Sequence, residues 1–280
     1  MAAKGYISFW WIPVFSSLVW LGMLLGMLLW WIVTVHRRRL PSLDADMSLP
    51  YISDIGAFQM KPLFIAGACV TTVTFDLAFA SERWLRHRGR LLPNRSTTEK
   101  VLVALTIFFA IVGTVGLILL SIYDTYRHGK LHDIFLLLFI GGYMLSAIFT
   151  CWEYQRLGSK YRDFRVLRAS FWIKLGFVVV EVALAIAFGV TTFNDHKNTA
   201  AYLEWIIAFI FTFYILSFVI DLWPARTTKD HSMRYSKEAV GASSSSPREM
   251  EESTVSEGSM PVASGGGPGN ATTTTAAANF

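Results

Sequence analysis

The sequence predicts an all-α polytopic membrane protein, with six transmembrane helices in one bundle, both termini in the cytosol and a disordered C-terminal tail. Three observations carry this. Of the 280 residues, 53% are hydrophobic and 16% charged, whereas soluble domains carry about a quarter charged residues. Apolar runs of roughly 20 residues recur, each long enough to cross the hydrocarbon core of a bilayer. Charged loops separate these runs and alternate in their Lys and Arg content.

The first run, about 7–35, contains "FSSLVWLGMLLGMLLWWIVTV". It is too long for a signal peptide and no small-residue cleavage site follows, so it reads as a retained helix. Gly22 and Gly26 stand in a G-x-x-x-G spacing that lets a neighbouring helix approach. The other five runs fall at about 62–81, 101–122, 131–151, 170–192 and 202–223. Cys69 lies inside the second run and Cys151 ends the fourth. Their different depths argue against a disulfide. Cys151 reads as a packing residue, with palmitoylation as the alternative.

Orientation follows from the loops. Loop two carries Arg83, Arg86, Arg88, Arg90, Arg95 and Lys100; loop four carries Arg156, Lys160, Arg162, Arg165 and Arg168. Loop three has only Arg127 and Lys130, and loop five only Lys197. Loops two and four are therefore expected in the cytosol. The run Arg37–Arg39 in loop one opposes this count. On this topology the sequons at Asn94 and Asn270 stay unglycosylated. The tail, 224–280, is rich in Ser, Thr, Gly and Ala. It lacks the apolar residues needed to fold and is expected to be disordered and cytosolic.

Ionisable residues inside spans are costly and need a reason. Asp76 lies in the second run and Glu181 in the fifth; each is either a polar clasp between helices or a site for a proton, ion or headgroup. In "YDTYRHGKLHDIF", Asp124, His128 and His132 are spaced at i, i+4 and i+8. One helical face could place them together as metal ligands. Gly129 and the span break point to an interrupted helix and a hydrogen-bonded loop instead, and no metal is called for. "FNDHKNTAAYLEW" supplies Asp195, His196, Glu204 and Trp205.

These residues share one face with Ser53 and Asp54 of "LPYISDIGAF". The outer polar cluster is thus Ser53, Asp54, Asp124, His128, His132, Glu204 and Trp205. It can hold a headgroup, a sugar-phosphate or an ion, or it can tie three loops together. A general acid–base pair could be assembled from it, but G-x-S-x-G, P-loop and H-E-x-x-H motifs are absent. No catalytic residue, cofactor or nucleic-acid partner is assigned. On the opposite face Arg83, Arg86, Arg88, Arg90, Arg156, Lys160, Arg165 and Arg168 stand among Trp84, Trp152, Tyr154, Tyr161 and Phe164. Basic residues beside interfacial aromatics attract anionic lipid; the same pattern is also the plain orientation signal.

"LPYISDIGA", "SIYDTYRHGKLHDIFLLLFIGGYMLSAIFTCWEYQRLG" and "EWIIAFIFTFYILSFVIDLW" resemble, in order and spacing, the Frag/DRAM/Sfk family of six-span proteins, which is related to the N-terminal domain of the Cwh proteins. The resemblance covers about residues 8–223, and "ERWLRHRGRL" with the tail looks most like the fungal Sfk-type branch. It implies one of three roles. The first is a non-catalytic plasma-membrane protein that organises lipids and phosphoinositide signalling, with phosphoinositides and lipid-kinase or scaffold proteins as partners. The second is a GPI-anchor lipid-remodelling factor in the Golgi or ER. The third is an autophagy modulator of vacuolar or lysosomal membranes. Ser53, Asp54, His132, Glu204 and Trp205 match features the family shares.

Overall fold

A computed structural model describes residues 9–43, 47–88, 91, 96–160 and 165–223; for 158–160 and 165–167 it describes backbone alone. The chain divides into two units, 1–233 and 234–280, and the second lies outside the described residues. So do the tail from 224, Arg90, Asn94, Arg95, Tyr161, Arg162, Phe164 and Asn270, and the side chains of Lys160 and Arg165.

The described chain is all helical. Helix α1 (Trp11–Leu29) continues into a π-helical turn at Trp30–Thr34; α2 is the single turn Ile52–Ile55. The others are α3 (Lys61–His87), α4 (Thr97–Ile122), α5 (Thr125–Lys160), α6 (Arg165–Phe193) and α7 (Lys197–Leu222). All but α2 are long and apolar enough to cross a membrane, which makes six spans among the described residues. The chain is an integral membrane protein.

The helices outrun the apolar stretches because capping, not hydropathy, sets their ends. Pro62 opens α3, where its missing N–H costs nothing. Ser96 and Glu99 form a capping box that starts α4, with the Ser96 N–H donating to Glu99 at 3.2 Å. α5 carries the break expected near Gly129: His128 leaves helical geometry at φ −137°, ψ 46°.

The long helices pack in a closed ring, α1–α3–α4–α5–α6–α7–α1, and α2 touches α1, α5 and α7 at one end. Side chains cross-link the ring where the bilayer offers no water. Ser16 Oγ donates to the Thr71 carbonyl (2.8 Å), Trp20 Nε1 to Ala208 (2.9 Å) and Ser146 Oγ to Thr106 (2.9 Å). Phe75 sits at the centre, fully buried, against Phe79, Tyr143, Phe211, Tyr214 and Phe218.

Close approach occurs away from the G-x-x-x-G of α1. Gly22 faces open space, and a Cβ on Gly26 would only touch the Leu63 side chain. The tight crossing is between α4 and α5, where Gly142 lies against the Gly113 backbone and Gly116 against Phe139.

Candidate functional site

At the α2 end, two neighbouring residues of α7 hold the "PYISD" turn. The Glu204 carboxylate accepts the Ile52 N–H at 2.8 Å and also the Ser53 N–H; Trp205 Nε1 donates to the Pro50 carbonyl at 3.0 Å. Asp54 accepts the Tyr51 N–H at 3.1 Å, Tyr51 Oη donates to the Lys197 carbonyl, and Ser48 bonds Asn198. A single-turn helix has exposed N–H groups at its start, and Glu204 satisfies two of them. Gly56 is required by contact: a Cβ there would lie 2.5 Å from the Phe64 ring. Thus Ser53, Asp54, Glu204 and Trp205 come together as a latch that fastens loop one to α7.

Asp124 caps α5 by accepting the Arg127 N–H at 2.8 Å and pairs with Lys61 of α3 at 2.6 Å. Burial by itself would raise this carboxyl. Lys61 and the Arg127 N–H overcome it and hold the group below its ordinary 3.8. A carboxyl lowered by folding stabilises the fold above the unfolded value and loses that contribution as pH falls through the folded value. Asp124→Asn is therefore expected to unfold at lower temperature than the native chain at neutral pH. The gap should persist at pH 4 and close only below about 3.8. Equal melting at pH 7 would show that the pair contributes nothing.

His132 is buried with Nδ1 2.9 Å from the Tyr123 carbonyl, while exposed His128 packs its ring edge-on to Tyr123. The i, i+4, i+8 alignment fails because α5 breaks at His128 and Asp124 precedes the helix. Asp195 forms an exposed pair with Lys197 at 3.3 Å, a geometry worth little.

Within the bundle, Asp76 accepts the Thr114 hydroxyl at 2.7 Å, and Thr114 meets Tyr143 Oη at 2.7 Å. This is a clasp across α3, α4 and α5. Glu181 differs: its Oε1 is buried without a hydrogen-bond partner among the described residues. It faces a cleft walled largely by carbon to which every long helix contributes, from Trp20 of α1, Phe64 of α3 and Leu117 of α4 to Tyr143 of α5, Phe188 of α6 and Phe211 of α7.

At the basic end the structure separates the arginines into two sets. Arg83 and Arg86 turn inward. Arg83 makes a two-pronged pair with Glu153 of α5, and Arg86 pairs with Glu82 one turn earlier at 2.7 Å. Tyr154 Oη donates to Glu82 at 2.6 Å, so Tyr154 is buried rather than interfacial. Lys174 of α6 pairs with Asp221 of α7 at 2.5 Å, Ser170 bonds Asp221, and the Lys174 ammonium lies 4.1 Å from the Phe218 ring centroid. Three acids and three cations thereby join α3, α5, α6 and α7. Sequence reading missed Glu82, Glu153, Lys174 and Asp221, although the Glu82–Arg86 spacing at i, i+4 was a visible signal. Arg88, Arg156 and Arg168 point outward, and Arg88 stacks 4.9 Å from the Trp84 ring centroid. Trp84, Trp152, Trp172 and Trp223 are exposed around them. Among the described residues no group of three His, Cys, Asp or Glu is placed to hold a metal, and Cys69 and Cys151 are free thiols.

Residues 8–225 match the sequence family described as Frag1/DRAM/Sfk1/Cwh43P N-terminal domain. The chain is similar to the protein sfk1 of Schizosaccharomyces pombe, 32% identical over 217 residues, which is 76% of this chain and 63% of that relative. It is also similar to the protein SFK1 of Saccharomyces cerevisiae, 23% identical over 272 residues, covering 74% of this chain and 76% of that one. The aligned region thus spans less than two thirds of the Schizosaccharomyces pombe relative. No solved structure matches.

Proposed function

The chain belongs to the Frag1/DRAM/Sfk1/Cwh43P N-terminal domain family, and from that premise we propose that it is a non-catalytic protein of the plasma membrane that organises bilayer lipids and supports phosphoinositide signalling. The observation that supports this is the outward basic rim. Arg88, Arg156 and Arg168 stand exposed among Trp84, Trp152 and Trp172, at the end that the loop charges assign to the cytosol. Indole rings fix this rim at the headgroup level. Each cation near an anionic surface contributes about 1 kcal/mol. Arg83 and Arg86 serve the bundle instead, so the lipid-facing set is smaller than the arginine count of the loop.

The carboxylates of the opposite end are engaged in structure, Glu204 on backbone N–H groups and Asp124 on Lys61. That favours an organising role over lipid-remodelling chemistry there. The test uses the full chain in nanodiscs of phosphatidylcholine doped with phosphatidylinositol 4-phosphate or phosphatidylserine, reading which lipids stay bound after detergent extraction. The native chain is expected to retain the anionic lipids. Arg88→Gln/Arg156→Gln/Arg168→Gln is expected to lower retention about a hundredfold, from roughly 1 kcal/mol for each of the three lost charges. Unchanged retention in the triple variant would sink the reading. A fluorescent fusion concentrated in Golgi or vacuolar membranes would overturn the location.

A further inference from the structure

We propose that the cleft beside Glu181, inside the ring of helices, binds one uncharged, hydroxyl-bearing membrane lipid, which enters sideways from the bilayer past α6 and sets its hydroxyl against Glu181. The inference deepens the lipid-organising reading and rests on it for the class of ligand.

Protein interiors tolerate few voids larger than a water molecule, because lining atoms facing a void lose their dispersion contacts. Yet this cleft opens inside the bundle, with Tyr143 of α5, Ala185 of α6 and Phe211 of α7 on one side and Trp20 of α1, Phe64 of α3 and Leu120 of α4 on the other. Water is a poor occupant of so apolar a space. The surrounding solvent is hydrocarbon, which fits it.

The wall nearest the lipid is α6. Only 17% of its most apolar window is buried, against 33–44% for the other spans. Its glycines Gly176 and Gly189 face open space, unlike Gly142 at the α4–α5 crossing. Val179, Val180 and Ile186 face outward. A helix this exposed to lipid beside a cavity is the natural entry point.

Two acids line the cleft, Glu181 and Glu204. Glu204 is committed to α2. Glu181 lies twelve residues before the end of α6 at Phe193, about 18 Å along the helix at ~1.5 Å per residue. That depth is near the middle of a hydrocarbon layer about 30 Å thick. A phosphate headgroup is too costly there, and a carboxyl with an unpartnered oxygen needs a hydrogen-bonding partner. A small hydroxyl on an otherwise apolar lipid meets both conditions.

The test reconstitutes the full chain in nanodiscs containing either a diacylglycerol or a phosphatidylcholine with the same photoactivatable diazirine chain, and maps crosslinked peptides by mass spectrometry. Diacylglycerol is expected to label the 134–147 and 172–188 segments on their cleft-facing residues, at least fivefold above phosphatidylcholine. Ala185→Phe, which fills the cleft, should abolish that labelling. Glu181→Leu should remove the preference for diacylglycerol, and Glu181→Gln should keep it. If Ala185→Phe elutes as aggregate, Ala208→Leu fills the cleft from α7 with the same expected loss. Labelling confined to Val180 and Ile186, labelling unaffected by either filling variant, or equal use of the two lipids would overturn the proposal. The variant Arg88→Gln/Arg156→Gln/Arg168→Gln separates the two readings. It should keep cleft labelling while losing anionic lipid, so failure of the rim leaves the cleft standing and failure of the cleft leaves the rim.

Discussion

Glu153→Leu is expected to destabilise the bundle by about 3–5 kcal/mol, the cost of leaving a buried cation without its partner. Glu153 is fully buried and takes both prongs of Arg83, and the Arg86 guanidinium lies 4.0 Å away. Arg83 Nε already lacks a partner among the described residues, so removing Glu153 leaves the guanidinium without its main acceptor. The desolvation cost of the ion would remain while the attraction that offsets it disappears. The measurement is thermal unfolding of the purified chain in detergent micelles. A companion variant decides whether the charge or the shape matters: Arg83→Met with Glu153→Leu removes both ions and should recover most of the loss. If the single variant melts with the native chain, or the double variant is as unstable as the single, the pair is not what holds α3 to α5.

That network also shows where sequence reading stops. The six spans were legible because twenty-residue apolar runs mean the same thing wherever they occur in a chain. The identity of the partner charges was not legible. Arg83 and Arg86 sit where the apolar run ends, so counting places them in a loop. The structure carries α3 on to His87, and those further residues of helix are enough to swing them into the bundle. Lys174 and Asp221 are 47 residues apart, and each alone is an unexplained charge in an apolar run. The outer latch was half legible. Ser53, Asp54, Glu204 and Trp205 stood out as polar residues at span ends. Glu204, however, grips backbone N–H groups 152 residues away in sequence, and a backbone partner leaves no trace in residue identity. The alignment of Asp124, His128 and His132 failed for a local reason: periodicity arguments require an unbroken helix, and α5 breaks at His128.

Glycine spacing misleads in the same way unless the partner surface is known. Gly142→Ala adds one carbon, placed 2.5 Å from the Gly113 nitrogen, 2.7 Å from its Cα and 2.9 Å from the Phe109 carbonyl oxygen. All three are backbone atoms of α4, so no side chain can rotate away. The helices must separate, and in a membrane that loss is severe, because helix association rests on packing rather than on the hydrophobic effect. Overpacking of this kind costs about 1–3 kcal/mol, and more when backbone is the obstacle. The neighbouring Gly141→Ala is the control, since a Cβ there meets nothing within 4 Å and alanine favours helix over glycine by about 1 kcal/mol. The expected result is a large fall in unfolding temperature for Gly142→Ala and no change or a rise for Gly141→Ala. Equal behaviour of the two would mean that α4 and α5 do not cross at Gly113 and Gly142, and the ring order of the helices would have to be redrawn. Because α5 also walls the cleft, a shift of this crossing should move Phe139 and Tyr143 as well. Any Gly142→Ala protein that still folds is therefore expected to lose the diacylglycerol preference together with its stability.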